Sequence, residues 1–129
     1  MKIAMLAFML LAHLIDDYVL QGWLASAKQK KWWEKNAPDK LYRHDWGMAM
    51  FCHCLSWSLM ITLPIIIHSV CCSIDLGWFW LSVPVNLLIH FVVDDLKANR
   101  HTINLITDQS IHFAQIVLTW LIWLFLYQL

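Results

Sequence analysis

Charge is what this chain has least of. Asp, Glu, Lys and Arg make up 14% of its 129 residues, against 60% apolar types. Soluble domains carry about 25% charged residues, so an ordinary soluble domain is excluded. Glycine and proline occur three times each, so few breakers interrupt the apolar runs. Cysteine offers no framework. Cys52 and Cys54 lie in an apolar run, and Cys71 and Cys72 are adjacent in an expected loop. Neither spacing is that of a zinc ribbon or a disulfide scaffold, and the thiols read as structural or incidental. The formal net charge is zero, so the total points to no partner, and nothing calls for nucleic acid.

What is present is apolar and aromatic. Four stretches, at about 3–23, 45–69, 76–97 and 103–127, approach the roughly 20 helical residues that cross a bilayer. The expected fold is all-α: an integral membrane four-helix bundle, one domain over residues 1–129. Nine tryptophans fit aromatic belts at the bilayer surfaces. Pro64 and Pro84 are expected to kink the second and third spans. The N-terminus has Lys2, an apolar run and an Ala25-Ser26-Ala27 sequence, as a signal peptide does. His13, Asp16 and Asp17 break that run, so it reads as a retained span.

The basic residues are unevenly placed. Six of nine lie between Lys28 and Arg43, beside Trp32 and Trp33. That segment reads either as one lying on the bilayer surface or as a solvated loop that sets topology. The second loop has no Lys or Arg, and the first and third loops hold eight of the nine. The positive-inside rule then puts loops one and three in the cytoplasm and both termini in the periplasm of a bacterial inner membrane protein.

The polar residues form stripes within the spans. His13, Asp17 and Gln21 are four apart; Asn86, His90, Asp94 and Lys97 share one face of span three; Asp108, His112 and Gln115 share one face of span four. With lipid outside, such faces turn inward and meet. The topology puts His13, His53, His90 and His112 at a common depth, roughly 10–15 Å from the cytoplasmic edge at 1.5 Å per helical residue. Ionisable groups in a membrane span point to a functional site.

Three His–Asp pairs at i,i+4 plus His53 supply up to seven donors: His13, Asp17, His53, His90, Asp94, Asp108 and His112. Imidazole with carboxylate suits Zn, Mn or Fe. Seven ligands exceed one structural zinc site, so either two ions bind or some groups orient the ligands. Gln21, Asn86 and Gln109 are expected in that orienting role. Such a metal activates water and polarises a phosphoryl or carbonyl oxygen. Lys97 suits an anionic headgroup, and Asp16 or Asp95 is the candidate base. The function this suggests is a metal-dependent hydrolase embedded in the membrane, acting on an inner-leaflet lipid or lipid-linked substrate. Two other readings stand beside it. One is a proton or divalent-metal transport module. The other is an accessory protein with a structural polar core that contacts a host membrane protein through the 28–43 segment. A second copy of the chain, as a homo-oligomer, is the other candidate partner. His44, His68 and His101 read as bystanders, and Tyr18 and Trp57 as packing or belt residues.

Taken together, His13-x3-Asp17-Tyr18-x2-Gln21, His53, His90-Phe91-x2-Asp94-x2-Lys97 and Asp108-Gln109-x2-His112 resemble a family of small bacterial and phage membrane proteins, a domain of unknown function. The likeness runs over nearly the whole chain. A more distant resemblance is to membrane-bound metal-dependent hydrolases with inward histidines and aspartates. The resemblance implies a four-helix inner-membrane protein of bacterial or phage origin, and brings no established activity.

Overall fold

The computed structural model describes residues 2–127. Among them there is no β-strand. Helix α1 (Lys2–Ile15) runs into a π-helical turn (Asp16–Leu20); short helices α2 (Leu24–Ala27) and α3 (Lys30–Asn36) follow, then a 3-10 turn at Lys40–Tyr42. Helix α4 (Asp45–Cys72) is the longest, a 3-10 turn (Gly77–Leu81) leads into α5 (Ser82–Ala98), and α6 (Leu105–Tyr127) closes the bundle. Four helical stretches, Lys2–Leu20, Lys40–Cys72, Gly77–Ala98 and Leu105–Tyr127, are long and apolar enough to cross a membrane. Helix α4 packs against α1 and α5, and α6 packs against the same two.

The distribution of side chains is inverted relative to a protein in water. Ile3, Trp78 and Phe125 are 80% exposed or more, and Phe8, Leu11, Val70 and Leu88 also face outward. Histidine, aspartate, asparagine and glutamine are inside instead. That arrangement is costly in water and natural in lipid, and it describes a multi-pass membrane protein.

The interior has two storeys. In one, Met5, Met9, Trp57, Ile61, Ile65, Leu76, Phe79, Ile116 and Trp123 form a continuous apolar core. In the other, toward the end that carries α2 and α3, the buried groups are polar. On α1 both storeys come from one stripe: Met5, Met9, Ala12 and His13 are its buried residues, at helical spacing.

Local details depart from the apolar runs. The first helix stops at Leu20, where the Gln21 N–H bonds to Asp16 O at 3.0 Å, the five-residue step of a π turn. Gly22 follows at φ +48°, a conformation glycine adopts without strain. Cys71 and Cys72, expected in a loop, are the last residues of α4. Pro84 falls in the first turn of α5, where there is no ladder bond to remove. Pro64 lies inside α4. Helix α6 begins after Asn104, whose Oδ1 accepts from Thr107 N at 2.9 Å, as an N-cap does.

The 28–43 segment is an ordered cap on the polar end. Trp23, Trp32 and Trp33 meet edge to face with ring centroids 5.0–6.0 Å apart. Asn99 ties the segment to α5: its Oδ1 accepts from Lys30 N at 2.8 Å, and its Nδ2 donates to Lys28 O at 3.2 Å and Asp95 Oδ1 at 3.0 Å. Asn99→Ala removes these and leaves a backbone donor unpaired. Trypsin should then cut within residues 28–35 about tenfold faster while the four spans stay protected. An unchanged cutting rate would show that the segment is held by other contacts.

Candidate metal centre

The polar stripes of all four long helices meet in the second storey. His13, His53, His90 and His112 are each at most 1% exposed. Asp94 stands among them. Its Oδ2 accepts from the Lys28 ammonium at 2.6 Å and lies 3.3 Å from His53 Nε2; its Oδ1 faces His112 Nε2 at 3.4 Å and His90 Nε2 at 3.7 Å. Asp108 repeats the pattern. Oδ2 accepts from Lys97 at 2.6 Å and from Gln109 at 3.0 Å, while Oδ1 faces His112 Nε2 at 3.4 Å. Asp17 Oδ2 accepts from Gln109 at 3.1 Å, and its Oδ1 faces His53 Nε2 at 3.4 Å and accepts from Gln21 at 3.2 Å. His53 Nε2 and His90 Nε2 point at each other across 3.1 Å.

Hydrogen bonding decides which imidazole has a lone pair to offer. Gln115 Nε2 lies 3.2 Å from both the backbone and side-chain oxygens of Asn86. A backbone carbonyl only accepts, so the amide nitrogen is placed there and Gln115 Oε1 turns to His112. At 3.2 Å from that oxygen, His112 Nδ1 carries the proton. Asn86 in turn donates to Thr119 Oγ1 at 2.8 Å, and the Thr119 hydroxyl donates to Gln115 O at 2.8 Å. The lone pair of neutral His112 is therefore on Nε2, facing Asp94 and Asp108. Neither that nitrogen nor Asp108 Oδ1 has a hydrogen-bond partner among the described residues.

A lone pair against two carboxylate oxygens is repulsive, and either a second imidazole proton or a metal ion between them removes the repulsion. The separations favour the ion. At 3.4 Å they exceed the 2.7–2.9 Å of a charge-assisted bond. They match the spacing of about 3.3 Å between two ligands on a tetrahedral ion with bonds of about 2.0–2.1 Å. Two triads have donor atoms within 4.8 Å of one another: His90, Asp94 and His112, all buried, and Asp17, His53 and His90. They share His90, which is held by ring stacking on His112 at 4.1 Å and against Trp57 at 4.2 Å. His90 Nδ1 has no hydrogen-bond partner among the described residues.

His13 resolves differently. Indole N–H only donates, and Trp57 Nε1 is 2.7 Å from His13 Nδ1. The His13 proton is therefore on Nε2, which donates to Gln109 Oε1 at 3.1 Å. Both ring nitrogens are spent. Expected among the ligands, His13 instead orients Gln109, and through it Asp17 and Asp108. The neighbour on α4 is the physical reason. His53 and Trp57 are one turn apart there, so Asp17 meets an imidazole while His13, one turn earlier on α1, meets an indole N–H that uses its Nδ1.

The two candidate bases also lie elsewhere. Asp95 Oδ2 accepts from Arg100 at 2.7 Å and Oδ1 from Asn99, tying down the end of α5. Asp16 Oδ1 accepts from Ser56 at 2.6 Å on α4, and its other oxygen is buried without a hydrogen-bond partner among the described residues. Two residues given no part in the site by spacing belong to it, Lys28 and Trp57, and Gln115 of the span-four stripe orients His112. Lys28 had one detectable signal, since several inward carboxylates require more cations than Lys97 alone.

A cleft of about 350 Å³ leads to the cluster from the α2–α3 end. Asp17, Gln21, Lys28, Asp94, Lys97 and Gln109 line its polar side. Tyr18 and Leu105 line it too, and both are more than half exposed on the bundle's outer face. His101, expected to be a bystander, is at the same rim.

The fold and site define a class: a multi-pass helical membrane protein with a buried His/Asp cluster able to hold a metal ion. No family model, curated protein or solved structure matches the chain. The functional reading therefore rests on this chain's own geometry. The tautomers separate two histidines that look alike in sequence. His112→Ala should abolish binding of about one equivalent of Zn, Mn or Fe, whereas His13→Ala should keep it with affinity lowered about 10–100-fold, read by elemental mass spectrometry after metal titration. Equal loss in both variants would refute the assignment.

Proposed function

We propose that the protein is a metal-dependent hydrolase embedded in a bacterial inner membrane, acting on a phosphate-bearing lipid or lipid-linked substrate of the cytoplasmic leaflet. The observation that carries this reading is the unpartnered pair His112 Nε2 and Asp108 Oδ1, 3.4 Å apart and fully buried. His112 belongs with His90 and Asp94 to a buried triad whose donor atoms lie within 4.8 Å of one another, and that triad would hold one Zn, Mn or Fe ion, with Asp108 against His112. A divalent ion there would polarise a phosphoryl oxygen and make water acidic.

The chain's own groups supply the remaining functions. Asp17 lines the cleft beside His53 and takes the proton of the attacking water, the role the sequence offered to Asp16 or Asp95. Lys28 and Lys97 line the cleft mouth and meet the charge that develops on the substrate. Tyr18 and Leu105 border the lipid-facing side, which suits a substrate that keeps its tail in the bilayer. The positive-inside rule supports placing this end at the cytoplasm. Transport is less well supported. The storey of Trp57, Ile61, Ile65, Ile116 and Trp123 on the far side of the cluster is buried and apolar, which counts against a path for ions across.

The test is release of phosphate or headgroup from phospholipids and lipid-linked phosphates by metal-loaded protein in detergent. Turnover should vanish in Asp94→Asn and fall about 10²–10³-fold in Lys97→Met, as for loss of one transition-state donor. If metal-loaded protein releases nothing yet passes metal or protons in liposomes, the transport reading replaces this one.

A further inference from the structure

A second concavity, of about 520 Å³, lies in the cap between α3 and the start of α4. Its walls include Trp33 and Trp46, and its cations are Lys30, Lys40 and Arg43. Lys40 and Arg43 have no ion-pair partner among the described residues. Lys30 lies over the Trp46 ring at 4.2 Å and reaches Asp95 only at 3.9 Å. Glu34 and Asp39 also line the groove, and Asp39 Oδ1 is used in accepting from Leu41 N at 2.9 Å. Three cations against two carboxylates leave it positive.

The surroundings select the kind of anion. Leu41, between the two unpaired cations, is 75% exposed. Tyr42 stacks on Trp33 with their rings 22° apart. Trp46 is in the first turn of α4, so the groove sits where a membrane-crossing helix enters the bilayer. Cations flanked by aromatic walls and an exposed leucine match a headgroup whose acyl chains continue into lipid.

We propose that this groove binds the phosphate of an anionic phospholipid, with Arg43 and Lys40 on its oxygens and Leu41 and Trp46 against the start of its chains. The proposal is independent of the metal reading, since no residue of the cluster lines the groove.

The test is native mass spectrometry of the delipidated full chain titrated with phosphatidylglycerol or phosphatidylcholine. Phosphatidylglycerol should bind at least about tenfold more tightly, and Lys40→Gln/Arg43→Gln should remove that preference. Lys31→Gln/Lys35→Gln removes the same charge outside the groove and should keep it. His112→Ala, which tests the metal reading, should keep it as well. Circular dichroism and gel filtration confirm that each variant is folded. Equal affinity for the two lipids, equal loss in both double variants, or displacement of the lipid by millimolar inorganic phosphate would each overturn the proposal.

Discussion

The Asp94 carboxylate cannot be left alone where it is. Moving a carboxylate into a low-dielectric interior carries an idealised cost of order 20 kcal/mol, and several kcal/mol remain after relaxation. Each of its oxygens is therefore met by groups from other elements. Lys28 comes from the cap, His53 from α4 and His112 from α6, while His90 stands one turn away on α5 itself. These contacts fix the helices along the bundle axis as well as around it. A slide of one helix by a turn leaves a buried charge or imidazole without its partner. Apolar packing between lipid-facing helices has no comparable preference for register.

That requirement also explains the two storeys. A polar cluster needs cations, and cations need a route to water. Lys28 and Lys97 satisfy both conditions only near an end of the bundle. The cluster is accordingly at the end that carries the cap, with a cleft above it and the Trp57–Ile61–Ile65 core below. The cap is therefore part of the site. It delivers Lys28, and Asn99 holds it to the same helix that presents Asp94.

The fold was legible because lipid imposes a simple rule. Four apolar runs with inward polar stripes have few arrangements, and the runs agree with the helices to within a few residues. The site was legible at the level of which residues meet, since spacing alone places His90 with Asp94 and Asp108 with His112. It was not legible at the level of roles. Helical spacing puts His13 and Asp17 on one face but does not show what each meets across it, and Trp57 takes the His13 Nδ1 that a metal would need. The acidic doublets carry no mark of which member faces inward. Asp95 is claimed by Asn99 and Arg100, and Asp16 by Ser56, through contacts that depend on tertiary structure. Lys28 looked like one of six basic residues in a loop, and only the fold brings it under Asp94.

The distinction between His13 and His112 bears on charge as well as on ligand count. With His13 spent on Trp57 and Gln109, the donors left are those of the two triads that share His90. Three carboxylates, Asp17, Asp94 and Asp108, then face the imidazoles, and two ammonium groups, Lys28 and Lys97, oppose them. With neutral histidines these five groups sum to one negative charge. Such a site attracts a cation and repels a phosphate. A divalent ion reverses the sign, and the same cleft then attracts a phosphate and repels further cations. Fields confined between low-dielectric walls act strongly at this range. On the proposed reading the charges set an order of events: ion first, anionic substrate second. The two lysines hold the balance near zero, so that one divalent ion would be enough to switch it.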